Sequence, residues 1–96
     1  MELNEFQDLM RRTYYQRDKE RGLAETFVWF TEEVGELAKL LRRGERSTYA
    51  EEIGDVLAWL ASLANLMGVG LEAGIEKYRN GCPRCGAMPC TCPQYP

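Results

Sequence analysis

Two short acidic stretches dominate the chemistry available to this chain. Glu32-Glu33-Val34-Gly35-Glu36 is followed, nineteen positions after its first residue, by Glu51-Glu52-Ile53-Gly54-Asp55. Each sets three carboxylates around a β-branched residue and a glycine, and each runs on into apolar sequence. Carboxylates are hard oxygen ligands, and a cluster of them suits Mg²⁺, which keeps coordination positions for water and substrate phosphates. Like charges at three- or four-residue spacing destabilise a helix by ~0.2–0.5 kcal/mol per pair. A converging set therefore needs a positive partner, and no lysine or arginine lies inside either stretch.

A second cluster has the opposite, soft character. Cys82, Cys85, Cys90 and Cys92 place four thiols within eleven residues. In a reducing compartment this spacing is that of a structural four-cysteine Zn²⁺ site, with Cys-Pro-x-Cys-Gly as one half. In an exported or hyperthermophilic protein it is that of disulfides. The Cys90-x-Cys92 half is tighter than the usual Cys-x-x-Cys. Histidine is absent, which removes Ser-His and Cys-His nucleophiles, His-based zinc catalysis and the Glu-x-x-His di-iron pattern.

Helices must position these groups, because apolar residues recur at helical spacing throughout and no alternating strand pattern is present. A first helix spans Asn4 to about Arg21, with Phe6, Leu9, Met10 and Tyr14 on its apolar side, Asn4 as its cap and Gly22 at its end. A second spans about Leu23 to Arg43 on a Phe27, Phe30, Val34, Leu37 and Leu41 stripe, stopped by Gly44. Thr48 and Glu51 fit a capping box at the start of a third helix, whose stripe is Tyr49, Ile53, Val56, Leu60, Leu63 and Met67. A short fourth helix runs from about Leu71 to Tyr78. All prolines and cysteines then fall in a tail that cannot be regular structure. The expected organisation is an all-α antiparallel bundle of about four helices over residues 1–80, joined to an irregular zinc-knuckle-like tail over 81–96.

A helical wheel at ~100° per residue divides the acids. Glu33 and Glu36 line up with Trp29 and Leu40, and Glu52 and Asp55 with Trp59 and Leu66, all on borders of the apolar stripes. Glu32 and Glu51 point outward. The short connection after Gly44 makes the second and third helices antiparallel neighbours. At ~1.5 Å per residue, Glu36 and Asp55 each lie about 10 Å from the loop. Gly35 and Gly54, each costing ~1 kcal/mol relative to alanine in a helix, face away from the acids and suggest either close backbone packing or an old duplication. Trp29, Phe30 and Trp59 suit a core or a subunit contact better than a nucleobase.

The bulk properties bound the function. The chain has 96 residues, 45% of them hydrophobic, and a net charge of −3, which argues against a general nucleic-acid coat. No apolar run approaches ~20 residues, and the acidic start "MELNEFQDLMRR" lacks the character of a targeting segment. A cytoplasmic location without membrane contact is the expectation. Apolar residues on two faces of the long helices favour self-association.

Taken together, Glu32-Glu33-Val34-Gly35-Glu36 and, after a gap of fifteen residues, Glu52-Ile53-Gly54-Asp55 resemble the E-E-x-x-E … E-x-x-D signature of the MazG-like all-α nucleotide pyrophosphohydrolases. The resemblance covers roughly residues 20–80. It implies a helical subunit acting as a homodimer or homotetramer, and Mg²⁺-dependent hydrolysis of nucleoside triphosphates to monophosphate and pyrophosphate, with Mn²⁺ as an alternative ion. By position, Glu33, Glu36, Glu52 and Asp55 would hold the metal, Glu32 would orient water, and Trp59 would meet the base. Positive groups should complete the site, and Lys77, Arg79 and Asn80 after the third helix offer them, as does the Arg42, Arg43 and Arg46 cluster at the hairpin. The competing expectation is a non-catalytic helical adaptor whose zinc tail contacts protein or nucleic acid.

Overall fold

The computed structural model describes residues 1–94, and among them there are four α-helices and no strand: α1 Leu3–Arg21, α2 Leu23–Arg43, α3 Tyr49–Met67 and α4 Leu71–Ile75. Single 3₁₀ turns at Arg46–Thr48 and Glu76–Tyr78 precede α3 and follow α4. The all-α class and the cysteine-bearing tail agree with the sequence reading.

The helix ends show where local chemistry differs from expectation. Glu2, not Asn4, stands at the start of α1, with the Phe6 amide donating to the Glu2 carbonyl at 3.0 Å; Asn4 lies within the first turn. Gly22 separates α1 from α2 by one residue, at φ +89°, a value open to glycine and strained for other residues. Gly44 closes α2 in the left-handed conformation, its amide reaching the Leu40 and Leu41 carbonyls. The capping box does not form. Thr48 has near-helical angles and its hydroxyl donates to the Glu45 carbonyl at 2.8 Å, because the preceding 3₁₀ turn leads straight into α3. A capping side chain needs an extended residue at that position. The fourth helix is likewise split, as α4 gives way to the 3₁₀ turn at Glu76.

α2 and α3 form an antiparallel hairpin, and α1 packs against α3. The centre lies around α3 residues 61–65, all buried, where Ala61, Leu63 and Ala64 supply the buried apolar side chains. A polar network fastens this segment. Gln7 Nε2 donates to Asn65 Oδ1 at 3.0 Å and to the Val69 carbonyl at 2.8 Å, while Gln7 Oε1 accepts from the Leu71 amide at 2.8 Å. Asn65 Nδ2 returns a bond to the Gln7 carbonyl at 3.2 Å, and Arg11 adds another to Asn65 Oδ1. One glutamine thereby joins α1 to α3 and to the start of α4 with its amide groups satisfied, as burial requires.

The expected apolar stripes are covered only in part. Phe30, Leu37, Tyr49 and Val56 are half-buried and Leu63 is buried, but Phe27, Val34, Leu41, Ile53, Leu60 and Met67 are exposed. Thr26, Phe30, Glu33, Leu37 and Leu40 make the less exposed line of α2, and Phe27, Val34 and Leu41 sit about 80° round the helix from it. A three-helix arrangement cannot wrap both sides of a hairpin. Gly35 and Gly54 do not serve close packing within the chain, since a Cβ built on either meets nothing within 4 Å.

At the α1–α2 corner, Asp18 is buried and its Oδ1 accepts from Arg21 Nη1 at 2.9 Å. The same nitrogen reaches Thr26 Oγ1 at 3.3 Å, and that hydroxyl donates to the Gly22 carbonyl at 2.7 Å. Removing the cation leaves a buried carboxylate without its partner. Arg21→Ala is expected to lower unfolding stability by about 3 kcal/mol, and Asp18→Asn in the same chain to recover part of it, as chemical denaturation would measure.

Candidate metal and nucleotide site

Glu33 lies on the α3-facing line of α2, and Glu52 and Asp55 lie one turn apart on α3. The hairpin brings one carboxylate oxygen from each within 4.8 Å of the others. Glu33 and Glu52 are half-buried and Asp55 is exposed, so the cluster opens outward on the Asp55 side. Glu52 Oε2 is shut off from solvent, and among the described residues no hydrogen-bond donor reaches it. Its acid is pushed up to about 7, first by burial, then by the shared hydrogen bond and charge of Glu33 and by the charges of Asp55 and Glu36. The other members of the signature stand differently. Glu36 acts on Glu52 through its charge, while its Oε1 pairs with Lys39 Nζ at 3.3 Å. Glu32 is exposed and outside the converging group.

Beside Asp55 lies a cavity of about 260 Å³, lined by Tyr14, Arg17, Asp18, Arg21, Ala58, Trp59 and Ser62. Trp59 stacks on Trp29 with ring centroids 6.1 Å apart and planes 12° apart, and the Arg21 guanidinium carbon lies 4.9 Å from the Trp59 centroid. Tyr14, Arg17, Asp18 and Arg21 come from α1 and were absent from the sequence-based candidates. The signal was there, since 14, 17, 18 and 21 follow the i, i+3, i+4, i+7 spacing of one helix face; only the packing of α1 on α3 gives that face a neighbour. Lys77, Arg79 and Asn80 do not line this cavity. Arg79 is committed to Glu76 through two bonds of 2.7 Å, and Lys77 Nζ lies 5.4 Å from the Tyr78 centroid. At the hairpin, Arg43 pairs loosely with Glu45 at 3.8 Å.

In the tail, the four cysteines converge with sulfurs within 4.8 Å of one another, and all are free thiols. Backbone amides of Thr91 and Ala87, aided by the Thr91 hydroxyl, hold Cys85 down at about 5. Hydrogen bonding with the Cys90, Cys82 and Cys85 sulfurs, which favours its neutral thiol, pushes Cys92 up to about 12.

Residues 21–86 match the MazG nucleotide pyrophosphohydrolase domain. The chain belongs to the MazG family. Among curated proteins, none matches it. The matched span carries both acidic stretches, Arg21 and Trp59, and ends between the two cysteine pairs; it excludes Tyr14, Arg17 and Asp18 of α1. Membership makes the MazG chain a hydrolase of the nucleotide pyrophosphohydrolase type, in a family that depends on metal. The acids present fit a divalent ion, because three oxygens from two rigid helices meet beside an unpartnered, solvent-shielded Glu52 oxygen.

The raised Glu52 value has a thermodynamic sign. Between about 4.5 and about 7 the folded chain binds more protons at Glu52 than the unfolded chain does, so stability falls as pH rises through that window. Without added Mg²⁺, the thermal midpoint is expected to drop between pH 5.5 and pH 8. Adding Mg²⁺ or Mn²⁺ at pH 8 should restore it in the native chain, whereas Glu52→Gln, which cannot titrate, should show a smaller drop and little response to the ion.

Proposed function

We propose that the chain hydrolyses nucleoside triphosphates between the α- and β-phosphates, releasing monophosphate and pyrophosphate and so clearing unwanted nucleotides from the cytoplasmic pool. The observation that supports this most is the adjacency of the Glu33, Glu52 and Asp55 cluster to a cavity carrying two arginines and an aromatic ring.

In this reading Glu33, Glu36, Glu52 and Asp55 hold Mg²⁺, or Mn²⁺ in its place. The bound ion supplies charge neutralisation at the phosphoryl oxygens and a lowered pKa for the attacking water. Asp55 borders both the cluster and the cavity, which supports a phosphate chain lying at the boundary between them. Arg17, for which no ion pair is found among the described residues, is the cation assigned to the terminal phosphates, with charge-assisted bonds that fix their orientation. Arg21 holds Asp18 and closes one side of the cavity. Trp59, steadied by Trp29, offers an apolar wall to the base or sugar. Glu32 keeps the water-orienting role that its motif position implies, acting from the outer side of α2. Lys77, Arg79 and Asn80 are assigned at most to an outer contact. The four cysteines take no part in this chemistry.

The subunit is proposed to pair with a second copy through its uncovered apolar face. Its radius of gyration is 15.9 Å, against about 12.5 Å for a compact chain of this length. Its accessible surface is 7461 Å², against roughly 5,600 Å² for a compact monomer of its mass. The excess is of the order that a stable protein interface removes, and Phe27, Leu60, Leu63, Met67, Leu71 and Ile75 line one continuous apolar groove there.

A panel of common and damaged nucleoside triphosphates, assayed for pyrophosphate with and without Mg²⁺, tests the activity. Mg²⁺-dependent release from at least one is expected, with Glu33→Gln and Asp55→Asn each reducing it by more than about 100-fold. Arg17→Ala should raise KM more than it lowers kcat. No release from any substrate would favour the adaptor reading. For assembly, light scattering after size exclusion should give at least a dimer for the native chain, and a shift toward monomer for Phe27→Asp with Leu60→Asp.

A further inference from the structure

The cysteine tail carries chemistry that the pyrophosphohydrolase reading does not use. Residues 81–94 contain no helix, no strand and no fully buried side chain, so apolar packing does not hold them in place. Weakly polar thiols have little attraction for one another. Yet four of them meet. Cys82 Sγ and Cys92 Sγ lie 3.6 Å apart, Cys85 Sγ and Cys90 Sγ 3.9 Å apart, and all four fall within 4.8 Å. A tetrahedron with ~2.3 Å metal–sulfur bonds has sulfur–sulfur edges of ~3.8 Å. A disulfide would bring two sulfurs to ~2.05 Å.

The backbone is built around the same centre. The Gly86 amide donates to the Cys82 carbonyl at 2.8 Å, and the Cys82 amide to the Ala87 carbonyl at 3.1 Å, folding Cys82-Pro-Arg-Cys85-Gly86 into a tight turn. Gly86 takes φ +72° to complete it. Gly81 sits at φ +113°, and a Cβ there would come within 2.9 Å of the Ala87 carbonyl oxygen, so both ends of the loop need glycine. The Thr91 amide points at Cys85 Sγ and the Cys92 amide at Cys90 Sγ, each at 3.3 Å. Amide bonds of this kind orient and stabilise metal-bound sulfur.

We propose that Cys82, Cys85, Cys90 and Cys92 bind one Zn²⁺ as a closed tetrathiolate that folds the tail against the end of the helical domain. Each thiol gives its proton to solvent as its sulfur binds, and four sulfur ligands leave no position for water. The site is structural. Two metal centres of opposite character then share one chain: soft sulfur selects zinc, hard oxygen selects magnesium. Cys90 and Cys92 lie beyond the MazG match, so half of the ligand set is an extension of this chain past the family domain. The zinc proposal does not depend on which reaction the acidic site performs.

The full chain, purified under reducing conditions with Mg²⁺ present, is the material for the test. Elemental analysis is expected to find about one zinc per chain. Replacement by Co²⁺ should give the intense visible bands and sulfur-to-cobalt charge transfer of a tetrahedral tetrathiolate. Cys90→Ser with Cys92→Ser should lose the zinc and loosen the backbone around Arg84 so that trypsin cuts there faster than in the native chain, while keeping the helical circular dichroism, and Glu33→Gln should keep the zinc. Zinc below about a tenth per chain, a weak octahedral cobalt spectrum, zinc lost with Glu33→Gln, or an intact mass showing disulfides would each overturn the proposal. If the double variant does not fold, the zinc count and cobalt spectrum of the native chain decide.

Discussion

Like charge drawn together on a helical hairpin is the constraint to which the rest of the structure answers. Glu33 and Glu52 occupy positions on the facing sides of α2 and α3 where a hairpin of this length would ordinarily place apolar contacts. The cost appears at Glu52, whose acid is raised to about 7 by burial and by its acidic neighbours. A hairpin that spends its contact face on carboxylates must be held elsewhere. The Trp29–Trp59 stack, the buried 61–65 segment of α3 and the Gln7–Asn65 network do this, all toward the end of the hairpin away from its loop. The acids are thereby left on a frame held together by other contacts, which bears the cost of their charge.

The same arrangement accounts for the thin interior. Only three apolar side chains are buried among the described residues, and the polar members of the centre, Thr26, Ser62, Asn65, Gln7 and Asp18, are small groups or carry internal hydrogen bonds. A chain of this size buries a modest share of its surface at best, and here part of that share goes to a polar cavity. The exposed stripe of Phe27, Val34 and Leu41 on α2 and Ile53, Leu60 and Met67 on α3 is the counterpart of that choice. Apolar area not used inside is presented outside.

Much of the layout was legible from residue types. Glycines at 22, 44 and 68 mark the ends of α1, α2 and α3, and the two acidic stretches announced a shared site. Errors came where a local pattern had more than one physical solution. Thr48-x-x-Glu51 reads as a capping box, but a preceding 3₁₀ turn leaves no extended cap residue. Gly35 and Gly54 read as either packing contacts or the mark of an old duplication; packing depends on what lies opposite, and within the chain nothing lies within 4 Å of a Cβ at either. Arg79 read as one of the positive groups offered to the site, and in the structure its guanidinium pairs with Glu76, three residues before it.

By itself the sequence determined the all-α class, the glycine stops of the three long helices, the oxygen-rich and sulfur-rich character of the two clusters, and which acids share a face on each helix. Each of these follows from side-chain type and the 3.6-residue period, which are local. Tertiary structure alone decided which faces are covered, that Tyr14, Arg17, Asp18 and Arg21 of α1 border Asp55, and that Glu36 stands with Lys39 rather than inside the triad. It also decided the tetrahedral spacing of the four sulfurs. Periodicity states which residues share a face of one helix. What that face meets is set by the angles at which separate elements pack, and those depend on the whole chain at once.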